Sequence, residues 1–465
     1  MTENGTVPKG TSKPRKRSTD WSFTVFVISL CMMAFLYGFA ANEFDLPPKG
    51  LMRQAVSALK ALNLIDRTMP TGVNRIEDKP APAKFVNQLD PAAGTELLLV
   101  TGWPNRGRCQ KYPCLASVID RSGKILRSWP APLDELFSDT KEFSGDVKPS
   151  SFYPIGLGML HDGSLVATFH GTNVYPYAVG IARIDPNGKV LWKHLDGAHH
   201  WIHIGADERI YAPVQVRRRM KNVGDNAVEL RCPDIVYDEG VRIYRPDGSV
   251  ERTLMLSDIL VANGYPGLIY SVRDDCDPLH INSVDIVTPE IAKNIPGATS
   301  GDLLISLREQ SAIVLLDPVS SKIKRMIVGR SAAQHSARFL PDGTVLVFDN
   351  QGGSRSLGGS RILRVNLVDG SAQTVFPTDA SGPVLPFFNF DGGTVTPSPD
   401  GKRAMIASKH EARDIEIDLA TGKPLWTMLH VADSGSAGGK PEAAYFNAYG
   451  NYYLTKEQLA ALHLQ

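Results

Sequence analysis

Histidines that stand just ahead of short apolar runs are the residues of this sequence best suited to chemistry. They are His199, His200, His203, His280 and His335. An imidazole has an unperturbed pKa of about 6.5, so it can attack an electrophile or exchange a proton at neutral pH. A single histidine at the start of a strand is more often a hydrogen-bonded structural residue. A site is therefore indicated only if several of these histidines converge.

An arginine and an asparagine accompany these histidines. Arg308 lies between two apolar runs in "GDLLISLREQSAIVLLDP", and Asn282 follows His280 by two positions. The planar guanidinium fork favours an anion such as phosphate, carboxylate or sulfate. It would repel a cation, which argues against zinc or copper on the histidines, so we predict neither a metal nor a cofactor. Considered alone, Arg308 would more often pair with a carboxylate than contact a substrate.

Eight hairpin signals after residue 94 provide the elements that would position these side chains. Each has alternating apolar residues around an Asp/Asn-Gly type turn that needs a positive φ. They span residues 117–129, 158–169, 182–193, 242–254, 337–349, 363–375, 395–407 and 415–428. Their loose recurrence every 40–60 residues or so is typical of a β-propeller, and the length available corresponds to roughly six blades. A pair of two-sheet sandwiches is the alternative fold.

A propeller would bring the candidate residues together, because its innermost strands begin at one mouth of the central channel. We expect three histidines and an arginine from separate blades to form a basic pocket there. In the "HH" pair, strand alternation would let only one of His199 and His200 face inward. The segments 213–240 and 255–278 lack the hairpin pattern and are predicted to be insertions in a propeller domain that covers residues 94–465.

The N-terminus contains an apolar run, from Trp21 to Asn42, without a charged side chain. This run is long enough to span a bilayer, and the basic cluster of residues 13–17 on its N-terminal side places residues 1–20 in the cytoplasm. A transmembrane signal anchor at 21–42 would be followed by a juxtamembrane helix (50–68) and linker within residues 43–93. A cleaved signal peptide is the alternative.

Composition and cysteine spacing are consistent with a domain outside the cytoplasm. The chain of 465 residues is 43% hydrophobic with a net charge of +1, so no global field suggests a nucleic-acid partner. Four cysteines outside the apolar run fit two disulfides in an oxidising compartment. Cys109 and Cys114 could close a small loop, and Cys232 and Cys276 a long one. A zinc site is the alternative, although no CxxC pair supports it.

Five stretches of this sequence resemble matching segments of the bacterial arylsulfate sulfotransferases. They are "GIARIDPNGKVLWKHLDGAHHWIHIGADERIY", "LHINSVDIV", "GDLLISLREQSAIVLLDP", "QHSARFLPDGTVLVFDNQGGSRSLGGSRILRVNL" and "EIDLATGKPLW". The resemblance covers about residues 150–430, and it is most specific from His280 to Arg361, where motif order and spacing both match. It implies a six-bladed propeller that moves a sulfuryl group from a phenolic sulfate ester to a phenol, without a nucleotide donor.

The resemblance also assigns roles to individual residues. It implies that His335 is transiently sulfated in a ping-pong cycle, while His280, His200 and Arg308 complete the catalytic set and Asn282 contacts substrate. Phenol rings would stack on aromatic residues near the mouth, for which the candidates are Tyr153, Tyr175, Tyr177 and Phe388. Trp201 stands where a smaller or acidic residue is expected, so it would reshape the pocket.

The partners implied are therefore a small aryl sulfate and a phenol, with no nucleic acid. The N-terminal helix would place a single-pass protein in the bacterial inner membrane, with its catalytic domain in the periplasm. The sequence does not decide whether the protein forms a homodimer. The best-known members carry an additional N-terminal β-domain for which residues 42–94 are too few. Two alternative functions remain: a non-catalytic, membrane-tethered binding or assembly module, and a metal-dependent propeller hydrolase.

Overall fold

The computed structural model describes most of the chain in two separate units. The described residues are 21–43, 75–82, 84–102, 109, 114–138, 143, 149–171, 177–219, 221–232, 235–273, 275–382, 388–433 and 442–464. The units comprise residues 1–63 and residues 64–465. The predicted basic tail (1–20), the predicted helix at 50–68 and Tyr175 lie outside the described residues.

The first unit contains one helix, Trp21–Glu43. Its 23 residues rise about 35 Å, more than the roughly 30 Å of a bilayer's hydrocarbon core. The segment Trp21–Ala40 has a mean hydropathy of 2.1, and large apolar side chains such as Phe23 and Phe35 are exposed along it. This helix is long and apolar enough to cross a membrane, although a signal sequence near the N-terminus has the same properties.

Six antiparallel sheets form the blades of a propeller in the second unit, which confirms the predicted fold. The strands of each blade are given from the innermost outward. Blade 1 consists of Asn451–Tyr453, Leu98–Thr101, Cys114–Ile119 and Ile125–Pro130, and blade 2 of Phe152–Met159, Leu165–Gly171, Ala178–Ile184 and Val190–His194. Blade 3 consists of His203–Ile204, Ile210–Arg218, Val236–Tyr244 and Val250–Met255. Blade 4 consists of Ile281–Ile286, Leu303–Leu307, Ala312–Asp317 and Lys322–Val328, blade 5 of His335–Phe339, Val345–Asp349, Arg361–Val365 and Ala372–Phe376, and blade 6 of Thr394–Pro397, Arg403–Ser408, Arg413–Asp418, Pro424–Leu429 and the added edge strand Val86–Gln88.

All eight predicted hairpins are present, and they are made by the turns that their glycines permit. Gly188 and Gly343, for example, have φ values of 88° and 83° in the turns of blades 2 and 5. Only glycine adopts this conformation without a steric penalty from Cβ. The Asp-Gly and Asn-Gly signals in the sequence therefore mark real strand reversals.

The ring is closed by its two ends, which the sequence pattern did not reveal. The strand Asn451–Tyr453 pairs antiparallel with Leu98–Thr101, so the innermost strand of blade 1 comes from the C-terminal part of the chain. Apolar side chains on both faces of the middle strands fill the space between blades, and Leu303–Leu307 is buried at every position. This packing fixes the inner strands around the channel.

Two small sheets and several short helices lie outside the blades. The small sheets are Arg75–Pro80 with Glu442–Phe446 and Val431–Asp433, and the hairpin Asn222–Val223 with Val228–Glu229. The α-helices are Leu133–Leu136, Leu256–Ala262, Pro266–Tyr270, Pro289–Ala292 and Lys456–Ala461, and the 3-10 helices are Pro149–Ser151, Gln351–Gly353, Arg355–Leu357, Asp379–Ser381 and Lys409–Glu411. The segment predicted as an insertion at 213–240 contributes the ends of two long strands of blade 3. The segment predicted at 255–278 contains two of the short helices.

Two disulfides join the predicted partners. Cys109 pairs with Cys114, and Cys232 pairs with Cys276 across a sequence separation of 44 residues. The second bond ties the two predicted insertions to each other. In a cytosol it would be reduced, so the pairing is consistent with an oxidising compartment.

Loss of the long disulfide is expected to destabilise the propeller. Closing a loop of 44 residues restricts the unfolded chain, which corresponds to about 4 kcal/mol in the chain-entropy treatment. We expect the double change Cys232→Ser and Cys276→Ser to lower the free energy of unfolding by about that amount in urea titrations. Cys31→Ser is the matched control and should leave the unfolding midpoint unchanged.

Candidate active site

Three of the predicted histidines meet at one mouth of the channel. His335 is the first residue of the inner strand of blade 5, His280 immediately precedes that of blade 4, and His200 lies in the loop before that of blade 3. The ring centroid of His200 is 5.2 Å from that of His280 and 6.2 Å from that of His335. The convergence expected from propeller geometry is therefore observed.

Arg308 joins this group from the turn between the second and third strands of blade 4, between the two apolar strands as expected. It directly follows the second strand of blade 4, and its backbone N–H donates to the carbonyl of His280 at 3.2 Å. Because both residues belong to blade 4, the expectation of four separate blades is wrong. The guanidinium of Arg308 contacts the carboxylate of Glu309 and stays partly exposed, with 25% of its side chain accessible. It can therefore reach a ligand at the mouth.

His335 is buried and neutral. Its Nδ1 lies 2.7 Å from Oδ1 of Asn350, and the backbone N–H of Gly392 donates to its Nε2 at 3.3 Å. Burial has the largest effect on the pKa of His335 and the positive charge of Arg308 the next largest, and together they lower it to about 3. At neutral pH the ring consequently keeps a lone pair that can attack an electrophile.

Asn282 links blade 4 to the residue before His335. Its side chain is fully buried, and its Nδ2 donates to the carbonyl of Gln334 at 2.6 Å. Its Oδ1 has no hydrogen-bond partner among the residues that the structure describes. The observed contact positions the start of blade 5, while the predicted contact with substrate stays a prediction.

Left-handed backbone conformations occur at the centre of the site. His200 and His280 have φ values of 52° and 47°, and Ser336, next to His335, has a φ of 51°. Residues other than glycine rarely adopt this region, and such strain is concentrated where a structure must aim particular side chains. Both histidines precede an inner strand, so the turn directs them toward the channel before the strand begins.

A partly buried ion pair orients His280. The Nδ1 of His280 lies 2.8 Å from Oδ2 of Asp277, which also accepts a hydrogen bond from the hydroxyl of Tyr177 at 3.0 Å. Burial alone would raise the pKa of Asp277, but the charge of His280 and its hydrogen bond lower that pKa to about 2. Asp277 is therefore ionised, and it can stabilise a proton on His280.

A second carboxyl group lies beside this pair. Burial has the largest effect on the pKa of Glu239 and the charge of Asp277 the next largest, and both raise it well above its ordinary value. The Nε2 of His199 lies 3.4 Å from Oε1 of Glu239, and the backbone N–H of Ile281 donates to Oε2. The site thus contains two adjacent carboxyl groups whose pKa values are shifted in opposite directions, and such environments are common where protons move.

His170 was missed by the sequence analysis. It lies at the end of the second strand of blade 2, with its ring 4.5 Å from that of His200, and its Nε2 accepts the backbone N–H of His200 at 3.3 Å. Its position relative to its blade matches that of Arg308 in blade 4. Site residues therefore come from the ends of second strands as well as from the starts of inner strands.

Three neighbouring imidazoles raise the question of a metal. Ring nitrogens of His170, His199 and His200 lie within 4.8 Å of one another, and all three residues are buried. The Nδ1 atoms of His199 and His200 are 2.6 Å apart, closer than the roughly 3.3 Å between two ligands of a tetrahedral zinc ion. In this arrangement one ring donates a hydrogen bond to the other, and the two would have to separate to share an ion. Both rings therefore belong to the cluster, although only one was expected to face inward.

Aromatic residues form one wall of the site. Trp201 is buried and donates its indole N–H to the carbonyl of Tyr449 at 2.9 Å, and the ring of Tyr449 stacks on Tyr153 at 5.1 Å. The Trp201 ring lies edge-on to His335 at 5.9 Å. Trp201 thus joins blade 3 to the C-terminal part of the chain and fills space beside His335.

His203, another of the candidate histidines, lies at the opposite mouth. A cavity of about 840 Å³ is formed there by the ends of the inner strands, and it is lined by His203, Asp285 and Arg338 among others. His203 pairs with Asp285 at 2.6 Å, and Arg338 donates to the carbonyl of Val284 at 2.7 Å. These residues are therefore separate from the histidine cluster.

The fold and the site define a β-propeller in which a cluster of histidines lies at one channel mouth, beside an arginine that can bind an anion. The family model for arylsulfotransferase (ASST) matches residues 256–385, which include His280, Arg308 and His335. This match confirms the resemblance to the arylsulfotransferase family. No curated protein matches the chain.

Several solved structures are similar at low sequence identity. A protein of unknown function from Bacteroides caccae is 13% identical, with 72% of this chain and 94% of that chain covered and a TM-score of 0.43. A streptogramin B lyase is 11% identical, with 78% and 98% covered and a TM-score of 0.39. Virginiamycin B lyase from Staphylococcus aureus is 12% identical, with 64% and 95% covered and a TM-score of 0.34.

Proposed function

We propose that this protein transfers a sulfuryl group from a phenolic sulfate ester to a phenol through a sulfo-histidine formed on His335. The proposal rests on the environment of His335. This residue is buried and neutral, because burial and the positive charge of Arg308 both lower its pKa. A neutral nucleophile beside a fixed cation suits attack on an anionic sulfate ester, whose negative charge would repel an anionic nucleophile.

The first half-reaction begins at Nε2 of His335. Its lone pair forms a bond to sulfur while the bond from sulfur to the phenolic oxygen breaks, and that electron pair leaves on the oxygen. Transfer of this kind passes through a loose transition state with charge spread over three oxygens. Arg308 stabilises that charge. Sulfur must displace the Gly392 N–H from Nε2, which leaves this donor beside the transferred group.

His280 then supplies the proton that the leaving phenoxide needs. Asp277 holds the His280 ring by Nδ1 and stabilises its protonated form. In the second half-reaction the acceptor phenol returns a proton to His280 as its oxygen attacks sulfur, and the bonding electrons return to Nε2 of His335. His200 lies close to both rings and is the alternative proton carrier.

Changing Asp277 to asparagine tests the acid–base role. The neutral amide no longer stabilises a proton on His280, so we expect kcat for phenyl sulfate to fall about 10²–10³-fold. A nitrophenyl sulfate should lose much less, because its phenoxide leaves with little protonation. Equal losses for the two donors would contradict the role. Asp275→Asn is the matched control, because Asp275 is exposed and the amide oxygen can still accept the backbone N–H of Asp277.

The proposed location follows from the N-terminal helix and the disulfides. Trp21–Glu43 would anchor the chain by a single pass in the bacterial inner membrane, with the propeller in the periplasm. Disulfide formation in that compartment supports this orientation.

Steady-state kinetics of the purified full chain test the proposed function. Transfer from a chromogenic aryl sulfate to phenol, without a nucleotide donor, should give the parallel double-reciprocal lines of a ping-pong cycle. Absence of transfer in a folded sample would favour the non-catalytic binding module. Metal analysis of the same sample separates the remaining alternative, since stoichiometric zinc or calcium would favour a hydrolase.

A further inference from the structure

Asn350 is locked in one orientation against His335. It directly follows the second strand of blade 5 and is fully buried. Its Nδ2 donates to two backbone carbonyls, those of Asn389 at 3.0 Å and Gly392 at 2.8 Å. Both amide hydrogens are thereby used, and only an NH₂ group can satisfy two carbonyls. The amide oxygen must consequently be the atom that faces Nδ1 of His335 at 2.7 Å.

This orientation determines the tautomer of His335. The Oδ1 atom of Asn350 can only accept, so Nδ1 of His335 must carry the hydrogen. The lone pair is then on Nε2, which agrees with the backbone N–H of Gly392 donating to that atom. The loop that supplies the carbonyl partners of Asn350 therefore also contacts the other ring nitrogen of the same histidine.

We propose that Asn350 is a positioning residue that selects the Nδ1–H tautomer of His335 and keeps that hydrogen on the sulfo-histidine. This inference rests on the proposed sulfuryl transfer. The role requires that the side chain at position 350 be a neutral amide and not a carboxylate.

The neutral charge of the amide matters both before and after attack. A carboxylate at position 350 would stabilise the imidazolium, which has no lone pair for attack on sulfur. Once Nε2 carries the sulfuryl group, the carboxylate would also remove the proton from Nδ1. The return step would then have to expel an imidazolide anion instead of a neutral imidazole, which is much less favourable. The amide accepts a hydrogen bond in both states and removes no proton.

Several other charged or titratable groups surround His335. They are Arg308 and His280 from blade 4, Asp391 from the loop before blade 6, and His200 from the loop before blade 3. None of them contacts Nδ1 in the described part of the chain, where Asn350 is the hydrogen-bond partner of that atom. A change at position 350 therefore acts directly on Nδ1 of His335, and Asn350→Asp also removes the two hydrogen bonds to the loop that carries Asp391.

The full chain with Asn350→Asp tests this inference. We expect the acid limb of kcat/KM against pH to move up by about two pH units, because the new carboxylate raises the pKa of His335. At pH values below that limb the nucleophile is protonated and activity is lost. We also expect the sulfo-enzyme to persist at least tenfold longer when phenol is added. Asn366→Asp is the matched control, since its Oδ1 accepts from the backbone N–H of Val368 in a turn.

A second measurement applies even if the aspartate variant does not fold. In ¹⁵N-labelled wild-type protein, the His335 signals, assigned by their loss in His335→Gln, should show a hydrogen on Nδ1 and none on Nε2. The opposite tautomer, or an Asn350→Asp enzyme with a wild-type pH profile and sulfo-enzyme lifetime, overturns the role of Asn350. Absence of any adduct on His335 in the wild type instead overturns the proposed function itself.

Discussion

Replacement of His335 by alanine is expected to abolish sulfuryl transfer. The change removes the lone pair that attacks sulfur, and the neighbouring rings are held by other contacts, His199 and His200 by each other and His280 by Asp277. For a residue that forms the covalent intermediate, we expect kcat to fall about 10⁴-fold or more. The assay is transfer from a chromogenic aryl sulfate to phenol by the full chain.

The control for this experiment is a histidine at the opposite mouth. His161 is exposed and pairs with Glu208, so His161→Ala makes the same chemical change away from the cluster. It should keep wild-type kcat and KM. Activity in His335→Ala that exceeds a tenth of the wild-type value, in a sample with a wild-type unfolding midpoint, would exclude His335 as the nucleophile.

Arg308→Gln is expected to lower kcat/KM about 10³-fold. The guanidinium supplies positive charge to the three sulfuryl oxygens in the transition state, and a neutral amide of similar length cannot. The loss should appear mainly in kcat, because that charge is needed most when the bond to the leaving oxygen breaks. Arg308→Lys should recover only part of the activity, since an ammonium is a point charge without the planar fork.

A matched arginine lies on the outer strand of the same blade. Arg325 donates to the carbonyl of Pro296, and Arg325→Gln should leave kcat/KM within about twofold, as is usual for a substitution away from the chemistry. If Arg308→Gln changed only the unfolding midpoint and left kcat/KM unaltered, Arg308 would be a structural partner of Glu309 and not part of the catalytic set.

Local sequence signals were sufficient for most of the fold. The turn glycines and the alternating apolar residues predicted all eight hairpins, because a tight turn and its two strands are specified within about a dozen residues. The closure of the ring was not predictable in this way. It joins Asn451–Tyr453 to Leu98–Thr101, and nothing local connects segments separated by most of the propeller.

The candidate site was predicted where a histidine stands directly before a strand, as with His280 and His335. Its supporting residues were harder to find, because their roles depend on contacts between blades or between loops. Asp277 and Asn350 resemble ordinary loop residues in the sequence, yet they contact the ring nitrogens of His280 and His335. Glu239 lies in the middle of a strand, and its raised pKa depends on burial beside Asp277, which the sequence does not show.

The most direct test of the central proposal is the intact mass of the full chain after brief exposure to an aryl sulfate without an acceptor. The proposed mechanism predicts a mass increase of one sulfuryl group, mapped by peptide fragmentation to His335 and lost when phenol is added. An adduct on another residue, or release of phenol from a folded enzyme with no adduct at any time point, would contradict a sulfo-histidine at His335.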